Sequence, residues 1–83
     1  MEATIIYRNG TVTEPVYETV AKVKVSDTVP FPVTLEMLFE RFNVGDRGGK
    51  RIRSLSVGDL VELHTELNTH LYRCESVGWR QLR

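Results

Sequence analysis

One stretch of this chain has a helical period, and nearly everything else alternates. Leu35, Leu38, Phe39 and Phe42 recur at i, i+3, i+4 and i+7, which aligns them on one side of a helix. Glu36, Glu40 and Arg41 lie off that stripe. Thr34 is the expected N-cap, and Glu36 in the first turn would favour the helix dipole. The helix should stop near Asn43, with Gly45 close by to accept a left-handed conformation. A stripe this narrow needs a second layer to bury it. The alternating segments must supply that layer as a sheet.

Ala3, Ile5 and Tyr7 alternate with Thr4, Ile6 and Arg8 in a run rich in β-branched and aromatic residues, a strand over 2–8. Asn9-Gly10 is a strong hairpin signal, suited to positive φ at both residues. Thr11-Val12-Thr13 could begin the return, with Glu14-Pro15 interrupting it. Alternation resumes over 17–25. Tyr17, Thr19, Ala21, Val23 and Val25 share one face; Glu18, Val20, Lys22 and Lys24 share the other. Val29-Pro30-Phe31-Pro32 reads as irregular, because proline breaks both ladders and helices. After the helix, Leu60–His64 and His70–Glu75 read as a strand pair around a loop at 66–69. A bulge is expected at Ser76 or Gly78, and 80–83 reads as a short terminal strand.

The expected fold is therefore α+β: a small antiparallel sheet of four to five strands with one covering helix, in the order strand, strand, helix, strand, strand. A partly open barrel is the alternative. Eighty-three residues suit a single domain over 1–83.

Formal charge sums to zero but is unevenly spread. Residues 1–40 are net −3 and 54–83 net −1. Residues 41–53 are net +4, from Arg41, Arg47, Lys50, Arg51 and Arg53 against Asp46. The overall neutrality argues against a dedicated nucleic-acid binder. The apolar runs are too short for a transmembrane helix, and Met1-Glu2-Ala3-Thr4 has neither the basic nor the apolar region of a signal peptide. One cysteine, Cys74, rules out an internal disulfide and a cysteine-only metal site. A cytoplasmic location is the expectation.

Leu35-Glu36-x-Leu38-Phe39-x-x-Phe42-Asn43, then Ser54-Leu55-Ser56-Val57-x-Asp59-x-Val61, then Tyr72-x-Cys74-x-Ser76-x-Gly78-Trp79 resembles the YodL-like family. The resemblance covers about residues 34–83 and leaves the first two strands unmatched. Gly58 stands where many members have serine, and Trp79 where many have phenylalanine. The resemblance implies a bacterial context of plasmids, phages and integrative elements. It lends no catalytic residue, cofactor or ligand.

The surface singled out for partner binding comprises Arg47, Lys50, Arg51 and Arg53 of the basic loop, Ser54 and Ser56 of the following turn, and Trp79. The turn's amides and hydroxyls could form an anion nest, although Ser and Asp at a tight turn are sufficiently explained by backbone hydrogen bonding. The basic loop could grip phosphates, and Trp79 with Tyr72 could stack on a base; a solvated loop and a core tryptophan are the plainer readings. His64 and His70 could approach across the hairpin and form a weak metal site with Glu62 or Glu66, but two histidines without a fixed third ligand are a poor signal. Cys74 reads as a buried apolar residue. Asp59 and Glu62 should occupy opposite faces. These readings favour a non-catalytic module that binds an unknown host protein. No cofactor, metal or membrane partner is expected. A weak nucleic-acid-binding module using loop 47–53 with Trp79 is the alternative, and homodimerisation through a sheet edge is plausible.

Overall fold

The computed structural model describes residues 1–43 and 54–83. Its elements are β1 (Glu2–Gly10), β2 (Pro15–Lys24), α1 (Phe31–Asn43), β3 (Leu60–His64), β4 (Thr69–Cys74) and β5 (Trp79–Gln81). The strands form one sheet in the order β2-β1-β3-β4-β5, and every neighbouring pair is antiparallel. The architecture is the expected α+β, with the last stretch resolved into a fifth strand. Among the described residues no helix is long and apolar enough to cross a membrane.

Helix α1 lies over one face. Leu35, Leu38 and Phe42 pack into a cluster with Ala3, Ile5, Tyr7, Leu55, Val61, Leu63 and Cys74. Phe31 sets its ring edge against His70 and Tyr72. Phe39 departs from the expected stripe: it is 37% exposed and touches the Trp79 ring edge-on at 6.5 Å. The helix also begins before Thr34, which is buried within it. Pro30 accepts the first bonds, from the amides of Val33 (3.1 Å) and Thr34 (3.0 Å). Pro32 then falls in the first turn, where a missing N–H leaves no bond unmade. Glu36 is thereby moved out of the first turn, which contains no acid.

The hairpins also differ from their expected positions. Asn9 remains in β1, and the β1–β2 loop is Thr11–Glu14, closed by the Thr11 amide to the Glu14 carbonyl (3.2 Å). Only Gly10 takes a positive φ there, at 81°, and a Cβ on it would meet the Glu14 carbonyl oxygen at 2.4 Å. Pro15 opens β2, an edge strand that tolerates the lost donor. The suspected bulge near Ser76 is instead a second tight turn. The Glu75 amide bonds the Gly78 carbonyl (3.0 Å), Gly78 has φ 73°, and Cys74 pairs with Trp79.

One irregularity alters which side chains share a face. Ile5 pairs with Ala21, but Ile6 pairs with Thr19, so Val20 is the extra residue of a β-bulge. A one-residue shift reverses the facing of everything beyond it. Ala21 and Val23 face the core with Ile5 and Ala3. Tyr17 and Thr19, expected on that same face, pair with Arg8 and Ile6 on the side away from the helix. Val20 packs against the core although alternation placed it with the lysines.

Candidate functional site

The polar turn after residue 53 is built around Asp59. This carboxylate is 1% exposed, and its two oxygens accept from the backbone. The Arg8 amide, at the far end of β1, donates to Oδ1 at 2.8 Å. The Ser56 amide donates to Oδ2 at 2.8 Å, and the Ser56 hydroxyl approaches the same oxygen at 3.4 Å. The Asp59 amide closes the turn on the Ser56 carbonyl (3.0 Å). Gly58 takes φ 95°, a left-handed conformation that favours glycine. Its amide donates to the Cys74 carbonyl (2.8 Å), and the Cys74 amide donates to the Asp59 carbonyl (2.8 Å). The motif thus locks β1, β3 and β4 together at one end of the sheet.

Of the singled-out surface, Arg47, Lys50, Arg51 and Arg53 lie outside the described residues. Ser54 is exposed, and Ser56 is engaged by Asp59. Trp79 stands on the other side of Cys74 from the turn, and its partners come from the helix. Its Nε1–H donates to Glu36 Oε1 at 3.2 Å, and Phe39 takes its ring edge. The turn and Trp79 are separated by β4, two strand spacings or about 10 Å.

The two histidines are parted by register. His70 pairs with Leu63 and faces the helix, its ring 5.0 Å from Phe31. His64 pairs with Thr69 and faces away from the helix. There its Nε2 lies 3.0 Å from Glu62 Oε1 and 3.2 Å from the Thr4 hydroxyl, while Nδ1 lies 3.2 Å from the Thr69 hydroxyl. This weld of three strands was not foreseen, because Thr4 and His64 are 60 positions apart in the chain. Among the described residues no three His, Cys, Asp or Glu side chains are grouped to hold a metal ion.

Cys74 is 2% exposed, and its thiol approaches the Glu75 carbonyl at 3.8 Å. Burial pushes its pKa up, and the negative charges of Asp59, Glu36 and Glu75 push it further. Burial also raises that of Tyr72. The folded state therefore holds the thiol proton at a pH where the unfolded chain releases it. Stability should fall as pH rises from the ordinary thiol value of about 8.5 toward the raised one. Urea midpoints at pH 8 and 10 should diverge more in the native chain than in Cys74→Ala. Equal divergence would show that the thiol plays no part.

The face away from the helix carries the remaining pattern. Register places Ile6 beside Leu60, with Leu71 on the next strand, and all three are half-buried. Around them stand Arg8, Lys22, Lys24, Arg73 and Arg80, against the acids Glu2 and Glu62. Arg73 pairs with Glu75 at 3.0 Å, and Arg83 reaches Glu62 at 3.9 Å. Lys22, Lys24 and Arg80 have no acidic partner among the described residues. On the helix side the exposed acids are Glu36 and Glu40, while Glu18 pairs with Tyr7. Arg41 is the base exposed on the helix itself, so among the described residues the sheet face away from the helix carries most of the bases.

Fold and site together define a small two-layer α+β protein, one helix on an antiparallel five-stranded sheet, whose signature turn is a structural clamp. The family model of the YodL-like domain matches residues 2–83. The chain belongs to that family, and the match includes the first two strands that the motif resemblance left out. No curated protein and no solved structure matches the chain.

Proposed function

We propose that this chain is a non-catalytic protein-binding module, a bacterial accessory protein of mobile genetic elements that acts in the cytoplasm on a host protein. The observation that carries this reading is the sheet face away from the helix, where Ile6 pairs with Leu60, Leu71 lies diagonal to Leu60, and Arg73 and Glu62 stand directly beside them. Specific interfaces combine apolar contacts with polar and charged groups in this way. The groups that could suggest catalysis are dispersed: the imidazoles point to opposite faces, the thiol is buried with its pKa pushed up by that burial, and the Asp59 oxygens accept from backbone amides.

Affinity capture from host lysate tests the reading with three baits: the native chain, Leu60→Gln/Leu71→Gln and Arg51→Glu/Arg53→Glu. Loss of partners from the first variant, with its melting curve still cooperative, supports the sheet face. Loss from the second alone moves the site to the basic loop. Identical recovery by all three baits overturns both surfaces.

The alternative is weak nucleic-acid binding, now favoured by the cations of the sheet face rather than by Trp79, whose ring is occupied by Phe39 and Glu36. Its binding would weaken steeply with added salt. Homodimerisation through an edge would use β2, ten residues long against three for β5. Light scattering after size exclusion reads that state directly.

A further inference from the structure

We infer that the sheet face opposite the helix selects an acidic protein segment, one with apolar side chains for Ile6, Leu60 and Leu71 and carboxylates for the bases around them. This rests on the protein-binding reading above and adds the chemistry of the partner. The argument is charge complementarity. Five bases and two acids occupy the face by register; Glu62 is engaged by His64 and Arg83, and Arg73 by Glu75. Lys22, Lys24 and Arg80 stand at the outer strands, so an incoming segment meets cations on both sides of Ile6, Leu60 and Leu71. Such cations accelerate encounter with acidic partners and penalise basic ones.

A nucleic acid would be drawn by the same charge, but it gains sequence-tolerant affinity by stacking bases on aromatic rings. Tyr17 is the one Phe, Trp or Tyr that the register places on this face, and it lies at the outer strand beside Arg8. At the centre of the face Ile6 and Leu60 adjoin Glu62 and His64, with no Phe, Trp or Tyr among them. An apolar-acidic polypeptide satisfies both parts of the surface; a phosphodiester chain satisfies only the bases.

The test titrates the full chain with three probes at about physiological salt: an alternating Glu-Leu decapeptide, a Gln-Leu decapeptide and a decathymidylate, following backbone amide shifts. The expected result is that the Glu-Leu peptide binds about tenfold more tightly than the Gln-Leu peptide. Its shifts should map to Ile6, Leu60 and Leu71. In Lys22→Glu/Arg80→Glu, both exposed sites, that preference should vanish while the fold persists. Equal binding of the two peptides at these residues overturns the acidic preference and leaves the protein-binding reading standing. If neither peptide shifts them, both fail. Tightest binding by decathymidylate overturns both in favour of nucleic acid. Shifts confined to the backbone of β2 would instead assign edge pairing and likewise overturn the inference.

Discussion

Replacing Asp59 with alanine should cost about 3–5 kcal/mol, a large part of the roughly 4–12 kcal/mol expected for a chain of this size. Two backbone donors, Arg8 N–H and Ser56 N–H, would lose the same carboxylate acceptor. Hydrogen bonds to a charged group contribute about 1.5–3 kcal/mol each, and a donor left buried costs its desolvation as well. The missing side chain would also open space at a site that is 1% exposed. An asparagine in its place would retain one acceptor and set an amide N–H₂ against the second donor, so Asp59→Asn should fall between. Urea denaturation measures the loss, and amide exchange at Arg8 and Ser56 locates it, since both should speed up disproportionately. A loss below about 1 kcal/mol would mean that the motif is not the clamp described.

The second large effect distinguishes two phenylalanines of one helix. Phe42 is fully buried, and Phe42→Ala should cost about 3–5 kcal/mol through lost transfer energy and the cavity left behind. Phe39 is 37% exposed, with an edge-on contact to Trp79. Phe39→Ala should cost about 1–2 kcal/mol, an aromatic contact plus partial burial. The periodicity alone assigned both to the core stripe. Thermal melting of the two variants at equal concentration separates the readings. Equal losses would return Phe39 to the core and leave its exposure unexplained.

Much of the fold was legible because its signals are local. Leu35, Leu38 and Phe42 show the helical period within eight residues, and Ala3, Ile5 and Tyr7 show the strand period within five. Pro32 is ambiguous in isolation: proline interrupts a helix interior but suits a first turn, and only the Pro30 carbonyl bonds reveal which applies. Phe39 fell at the margin of the stripe, where exposure depends on how far the sheet extends beneath the helix. The Ser54–Asp59 motif reads as local turn chemistry, yet one of its carboxylate bonds goes to a residue 51 positions away. The basic loop stands out in the sequence because four bases, Arg47, Lys50, Arg51 and Arg53, fall within seven residues.

The amino-acid order by itself determined the kinds of element, their succession, and the apolar stripe that required a sheet to lie on. These depend on periods and turns spanning a few residues. Which side chains share a surface was decided only when the strands paired. The bulge at Val20 turned Tyr17 and Thr19 outward, register sent His64 and His70 to opposite sides, and five distant bases were gathered on one face. Backbone hydrogen bonds across the sheet set that arrangement, and they join residues whose separation no local pattern records.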